Sequence, residues 1–326
     1  MSMTEYVQKM TEVFCEVRRV LRKDGSLWLN LGDGYANHGG HTKHGKTGLM
    51  KLKNSPLAEE QNRAPGQVQK GLKNKDMLGI PWRIAFALQD SGWYLRSDII
   101  WDRPNAMPSS TTDRPTKSHE YVFLMTKSQK YFYDQEAIRE PHTDKTKRLV
   151  KIGESHPHGR NKRSVWSIPT KPSPKSLDLH FAIMPEDLVS PCLLAGTSSR
   201  GCCPSCGKPW IRTFVRGEPQ THQWGKQEKI HLSQGRHGKS SLMSTGMIWP
   251  KIPTGWKQWC ECDEQTPIPC VVLDPFCGSG TVGVVSIKNY RRFVGIDLNP
   301  IYCDMARKRV AAVNEPRLVL DDGVVG

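Results

Sequence analysis

The sequence has no apolar run long enough to cross a bilayer as a helix, and its first twenty residues carry too many charges for a secretion signal. Membrane-spanning and secreted classes are set aside on that ground, and the chain reads as cytoplasmic. Acidic residues are few beside basic ones: 32 Asp and Glu against 47 Lys and Arg, for a net charge of +15. That balance disfavours a cationic partner. It favours a polyanion, nucleic acid before membrane, because clustered Lys and Arg release condensed counterions on binding. Without a secretory context the ten cysteines are not a disulfide framework; they read as thiols and metal ligands in a reducing compartment. At 326 residues the chain accommodates one large α/β domain with insertions, or two domains.

The most informative stretch lies near the C-terminal end. Val271-Val272-Leu273 is a short apolar run suited to a strand buried on both faces. Asp274-Pro275-Phe276-Cys277-Gly278-Ser279-Gly280-Thr281 follows, with Gly278 and Gly280 placed for a tight turn and close backbone approach to a ligand. Thr281 opens an apolar, helix-compatible stretch through Ile287, and Val294-Gly295-Ile296 leads to Asp297. The order is strand, glycine-rich turn, helix, strand, carboxylate, and the carboxylate lies where a mononucleotide-binding βαβ unit carries its ribose ligand.

These residues resemble the cofactor loop of the DNA amino-methyltransferases, which use S-adenosylmethionine to methylate adenine N6 or cytosine N4. A cofactor loop placed after the other motifs is similar to the permuted order of one large group of that family. The resemblance implies that Asp274, Phe276, Cys277, Gly278, Ser279, Gly280 and Thr281 hold the methionine end of S-adenosylmethionine. It also implies that Asp297 accepts hydrogen bonds from the ribose hydroxyls, and that double-stranded DNA is the partner.

Upstream, apolar residues at three- and four-residue spacing from Tyr6 to Leu21 predict a one-faced helix. Ser26 to Leu31 predicts a buried strand with Gly32-Asp33-Gly34-Tyr35 at its tip. Asp33 and Tyr35 face a ligand cleft or merely form a turn there. Asn37 to Lys75 is polar and basic; His38, His41 and His44 within it lack an apolar frame and read as a solvated loop. Pro81 to Leu88 predicts a helix and Trp93 to Trp101 a strand. Glu120 to Thr126 and Lys130 to Tyr133 predict a hairpin around Lys127-Ser128-Gln129. The block from Ile99 to Thr126 again resembles the family, where the loop matching 102–108 lies beside the target base. Gln135 to Arg163 is aperiodic and basic, and falls where the permuted group has its target-recognition segment. A helix is expected from about Pro185 to Leu194. His180, just before it, belongs to a His-x-Ala-x-x-Pro stretch similar to one that packs beside the methionine moiety.

Cys203-Pro204-Ser205-Cys206-Gly207 has a zinc-knuckle pattern, and Cys260-Glu261-Cys262 supplies a second close pair. Cys203, Cys206, Cys260 and Cys262 together suit a tetrahedral structural zinc with no open position for water. Cys202 is a spare ligand that leaves the choice within the first pair open. The intervening stretch carries basic residues with Trp224, Trp249 and Trp256; it is either a DNA contact or a solvated hairpin tip.

One family element is absent. No two prolines are adjacent anywhere. The family's Asp/Ser/Asn-Pro-Pro-Tyr/Phe tetrapeptide sets a side-chain oxygen and a carbonyl against the amine of a base flipped out of the duplex. Asn299-Pro300-Ile301-Tyr302 is a near match, but it follows the ribose-side strand and reads as a helix start, with Asn299 as N-cap. The tetrapeptide's place lies just before the first helix, where this chain has Met1-Ser2-Met3. The expectation is therefore an N-terminally truncated enzyme that transfers no methyl group by itself. A decayed gene, or a piece supplied by another chain, would account for the same gap.

The fold expected is α/β, a doubly wound sheet of the S-adenosylmethionine-dependent type with a zinc-knuckle insertion. The chain divides into a core part over 1–134 with a basic insertion at 37–75, and a target-recognition segment at 135–164. A cofactor-side linker and helix at 165–200, the zinc-knuckle insertion at 201–265 and the cofactor-binding βαβ part at 266–326 complete it. The function expected is site-specific DNA methylation on an exocyclic amine. The rival reading is an inactive, zinc-containing nucleic-acid-binding relic; a third is methylation of RNA or protein with the same cofactor loop.

Overall fold

A computed structural model describes residues 2–36, 72–141, 158–171, 184–217, 220–222, 246–248, 251–263 and 266–313. Most of the basic insertion with His38, His41 and His44, the middle of the target-recognition segment, His180, Trp224 and Trp249 lie outside them. The chain forms two compact units. One is 1–131 with 165–167; the other is 132–164 with 168–326.

In the first unit, helix α1 (Met3–Val20) begins at a capping box: Ser2 accepts from the Glu5 amide while the Glu5 side chain accepts from the Ser2 amide. Two orphan donors of the first turn are satisfied in this way. Strand β1 (Ser26–Leu31) follows, then helix α2 (Ile80–Asp90), β2 (Tyr94–Asp102), β3 (His119–Thr126) and, much later, β4 (Val165–Ser167). The sheet order is β1-β3-β2-β4, with β3 antiparallel to both neighbours and β4 parallel to β2. Phe14 and Val17 of α1, Ile84, Ala85 and Leu88 of α2, and Leu29, Phe123 and Met125 of the sheet make one buried cluster with Trp93. The periodicity of both helices thus reflects a single shared core.

Two expectations change here. Lys130 to Tyr133 is not a strand. Both edges of β3 are already occupied, by β1 and β2, so a local hairpin partner has nowhere to pair. The turn is closed by side chains instead: Ser128 Oγ donates to the Lys23 carbonyl at 2.6 Å and Thr126 Oγ1 to the Ser128 carbonyl at 3.0 Å. In addition, Val165 to Ser167, read as the start of a linker, is a strand. It buries Trp166 near Trp28, ring centroids 6.4 Å apart.

In the second unit, β9 (Val271–Asp274), α4 (Thr281–Lys288) and β10 (Arg292–Gly295) form a crossover with the two strands parallel, followed by α5 (Pro300–Ala311). Helix α3 (Glu186–Gly196) packs on α4 through Val189, Leu193 and Val285, with Val272 and Val282 alongside. Asn299 caps α5, its side chain accepting from the Ile301 amide at 3.0 Å, which is the role read from the sequence. Among the described residues β9 pairs with β10 alone, and Val271 is half exposed rather than buried on both faces. An antiparallel ribbon, β5 (Ile211–Arg216) with β8 (Lys251–Lys257), stands between α3 and β9 in sequence. A shorter pair extends it, β6 (Gln220–His222) with β7 (Gly246–Ile248). The architecture is mixed α/β. Among the described residues it consists of one four-stranded sheet and three two-stranded ones.

Candidate functional site

The glycine-rich turn joins β9 to α4, and its two glycines do different work. Gly280 has φ +80°, and a Cβ there would lie 2.8 Å from Cα and Cβ of Ala306. It is a packing glycine that lets α5 lie directly on the turn. Gly278 has φ +48°, and a Cβ there would meet nothing within 4 Å. Its backbone faces open space, the arrangement a ligand cradle requires.

Two carboxylates fix the turn. Asp297 Oδ2 accepts from the Gly278 amide at 2.9 Å and its Oδ1 from the Asn299 amide at 2.8 Å. An ionised carboxylate offers about four acceptor positions, so each oxygen keeps capacity for another donor. Asp274 Oδ1 accepts from the Phe276 amide at 3.0 Å. Burial raises the Asp274 carboxyl above its ordinary range, and the nearby Asp297 charge raises it further against the pull of that amide. Burial, with Asp274 and Asp297 beside it, also pushes the Cys277 thiol up to about 11, so Cys277 stays protonated at neutral pH. From α5, Arg309 Nη1 donates to the Ser279 carbonyl at 2.7 Å and to Ser279 Oγ at 2.8 Å.

The structure thus gathers Asp274, Phe276, Cys277, Gly278, Ser279, Gly280, Thr281 and Asp297 at one turn. Sequence reasoning missed Arg309, thirty positions from its partner Ser279, and no local signal announces it. It also missed Leu298, which follows Asp297 and is fully exposed, as Phe276 is by half. An apolar residue directly after the carboxylate was a usable clue.

The first unit holds a cavity of about 260 Å³ at the ends of β1 and β3, walled by Asp33, Tyr35, Arg103, Arg114, Lys117 and Glu120 among others. Asp33 is nearly buried, with Lys117 Nζ 3.6 Å from one oxygen, while its other oxygen accepts from the amides of Gly34 and Ile80. The Ile80 contact caps α2, whose own N-cap Gly79 has no side chain to do so. Asp33 therefore serves both readings, turn and cavity wall. Glu120 accepts from Arg103 at 3.0 Å and Asn30 at 3.2 Å, and Arg114 lies over the Tyr35 ring at 3.9 Å. The wall is polar and its two carboxylates are each matched by a cation.

The cysteine pairs come together at the root of the β5/β8 ribbon. The Sγ atoms of Cys203, Cys206, Cys260 and Cys262 all lie within 4.8 Å of one another. The Gly207 amide donates to the Cys203 carbonyl at 2.8 Å, closing the knuckle turn. Cys202 is not among the four: its backbone bonds Ile268 in both directions, and its thiol faces Cys270 and the Pro269 carbonyl. Gln258 Nε2 donates to Cys260 Sγ at 3.0 Å and to the Cys262 carbonyl at 2.9 Å. Desolvation acts against the Cys260 thiolate, but the Cys262 amide, Gln258, Cys206 and Cys203 outweigh it and bring Cys260 down to about 6. Cys262 goes up to about 12 because its hydrogen bonds with Cys206 and Cys260 hold its proton. Cys260 thus ionises readily while Cys262 resists; a bound divalent cation is the kind of charge that deprotonates coordinating thiols outright.

A family model described as DNA methylase matches residues 1–203 and 267–308. The Type II methyltransferase M.Cfr9I of Citrobacter freundii is 38% identical over 312 residues, 95% of this chain and 72% of that protein. M.XycI of Xanthomonas campestris pv. cyanopsidis is 36% identical over 314 residues, covering 96% and 74% of the two chains. M.SmaI of Serratia marcescens is 36% identical over 309 residues, covering 95% and 75%.

Proposed function

The chain belongs to the N6/N4 DNA methylase family, and from that premise we propose that it is a site-specific methyltransferase acting on DNA. It takes the methyl group from S-adenosylmethionine and delivers it to an exocyclic amine, adenine N6 or cytosine N4. The observation that carries the cofactor reading is the turn itself. Gly278 presents its backbone to open space beside Asp297 and close to Asp274, whose ionisation is made costly by burial and by the charge of Asp297. A cationic ligand relieves that cost, and S-adenosylmethionine carries two cationic centres, an ammonium and a sulfonium. When bound, it supplies a methyl group already activated for transfer.

The chain's own residues bind and orient. Backbone groups from Phe276 to Gly280 hold the methionine end, the spare lone pairs of Asp297 accept from ribose hydroxyls, and Leu298 with Phe276 offers an apolar ledge to the adenine ring. Arg309 keeps the turn in shape from behind. Since the donor is activated, positioning supplies most of the acceleration. The loop after β2, read as base-side from the resemblance, belongs to the unit with the polar cavity, and Arg114 on Tyr35 there suits an anionic or aromatic guest. The fold proposed is the doubly wound one, of which the β9–α4–β10 crossover is the elementary unit. Duplex DNA is the partner that the net charge of +15 favours.

The four-cysteine cluster is assigned a structural zinc ion. Four sulfur ligands close its coordination, so it has no part in the chemistry.

The test is calorimetric binding of S-adenosylmethionine, followed by transfer of labelled methyl to duplex DNA, RNA and protein in parallel. Binding is expected of the chain itself, and transfer to DNA when a segment bearing the Pro-Pro-Tyr or Pro-Pro-Phe tetrapeptide is supplied with it. Transfer to RNA or protein alone in that combination would sink the DNA assignment, and binding without transfer to any acceptor even then would sink the enzymatic one. One zinc per chain, lost on replacing Cys260 and Cys262 by serine, is the expected result of metal analysis.

A further inference from the structure

The family model passes from residue 203 to residue 267, leaving out the ribbon and three of the four clustered cysteines. The ribbon is therefore an addition to the part of the chain that the family shares, and its construction is informative. Among the described residues, its anchoring contacts gather at one end. The cysteine turns precede β5 and follow β8, so the cluster joins the two strands at their root. A second anchor lies one residue further out. Arg212 Nε contacts both carboxylate oxygens of Asp134 at 2.8 and 3.0 Å, and its guanidinium lies 4.4 Å from the Trp256 ring centre. Asp134 is almost fully buried, and its amide donates to the Ala195 carbonyl at the end of α3.

The far half is different in character. Beyond the bulge at Thr213 and Phe214, the pairs are Phe214↔Pro253, Val215↔Ile252 and Arg216↔Lys251. Side chains alternate along a strand, so Phe214, Pro253, Arg216 and Lys251 share one face. Phe214, Val215, Arg216 and Lys251 are all exposed. Strands β5 and β8 carry Arg212, Arg216, Lys251 and Lys257 and no acidic residue. Arg212 is engaged by Asp134 near the root, and Arg216, Lys251 and Lys257 are exposed along the ribbon.

We infer that this ribbon is a DNA-contact arm, held at its root by the cysteine-bound metal, with the face of Phe214, Arg216 and Lys251 set against a groove edge of the duplex. The inference rests on the DNA and zinc readings proposed above. A two-stranded ribbon is one of the two elements that the major groove of B-DNA admits. Paired cations at its far end match the phosphates that border a groove, and contacts of that kind position a protein without reading sequence. The arm accordingly adds affinity for any duplex and leaves recognition of a particular site to other residues.

The experiment is fluorescence anisotropy of mixed-sequence duplexes titrated with the full chain at rising salt. It compares the parent with the double variant Arg216→Gln, Lys251→Gln. Each phosphate contact contributes about 0.9 to the slope of log affinity against log salt, so the double variant should lose about 1.8 from that slope. The loss should be equal on unrelated duplexes, with S-adenosylmethionine affinity and zinc content unchanged. An unchanged slope with zinc retained overturns the arm. The variant Cys260→Ser, Cys262→Ser should lose zinc and a comparable share of DNA affinity while still binding S-adenosylmethionine; full DNA affinity without metal overturns the metal's role as clamp. A parent chain that binds no duplex sinks the DNA reading itself, and is told apart from failure of the arm because the parent is then already inactive in the assay.

Discussion

Replacing Gly278 or Gly280 by alanine separates two jobs that one short motif performs. At Gly280 the added methyl must enter space held by the α5 backbone at Ala306, 2.8 Å away, with φ at +80°. A left-handed conformation costs a non-glycine residue about 1–2 kcal/mol, and overpacking a tight contact adds about 1–3 kcal/mol. Gly280→Ala should therefore destabilise by about 2–5 kcal/mol, or force α5 off the turn. At Gly278 the conformational cost is of the same kind, but nothing lies within 4 Å of the new methyl. Gly278→Ala should lose only about 1–2 kcal/mol of stability. Its methyl projects into the space assigned to the methionine end of the cofactor, so affinity for S-adenosylmethionine should fall at least tenfold. Thermal denaturation without ligand and calorimetric titration with S-adenosylmethionine measure the two effects on the same preparations. Gly278→Ala binding the cofactor as the parent does would refute the cradle, whatever its stability.

Other perturbations follow from single contacts. Leu298→Ser should leave stability unchanged, because Leu298 is fully exposed; it should weaken S-adenosylmethionine binding by up to about 1.5 kcal/mol, about tenfold, if the side chain covers the adenine. Arg309→Met removes the hydrogen bonds to Ser279 and should cost about 1.5–3 kcal/mol in chemical denaturation, with cofactor affinity falling in parallel and partly restored in Arg309→Lys. Arg212→Met leaves the Asp134 carboxylate buried without its partner and should cost about 3–5 kcal/mol; a second change, Asp134→Asn, should recover much of that loss. Asp274 has a folded-state pKa above its ordinary 3.8, so the folded chain holds a proton that the unfolded chain has released. Its contribution is complete below that ordinary value and is lost as pH rises through the raised one. Asp274→Asn should flatten this fall in urea denaturation across the acidic range, and should weaken cofactor binding at neutral pH.

What the sequence made legible is what is local. The Asp274 to Thr281 turn, the Asn299 cap and helices α1 and α2 each follow from residues a few positions apart; the Asn299 cap appears as expected, and both helices form, although Tyr6, Val13 and Val20 of the expected apolar face of α1 are exposed. Strand β4 was not legible. Its three residues acquire strand character from β2, more than sixty positions earlier, and from burial of Trp166. The hairpin expected after β3 failed for a related reason: the local turn signal at Lys127 to Gln129 was genuine, but distant strands had already taken both edges. At the cysteines, spacing left Cys202 and Cys203 equally eligible. Only the pairing of Cys202 with Ile268 removes it from the cluster.

The same distinction separates the two electrostatic features of the second unit. Asp274 ends β9 and Asp297 lies two residues past the end of β10, whose Gly295 faces Asp274, so their proximity follows from one crossover and is readable from the motif. The basic ribbon depends on Asp134, Arg212 and four cysteines drawn from three separate stretches, and only folding brings them to one root. Charge composition announced a polyanionic partner for the chain as a whole. The root contacts of β5 and β8, with the exposed cations beyond them, offer that charge a place, and the salt slope of the Arg216 and Lys251 variant tests whether composition and placement describe the same contact.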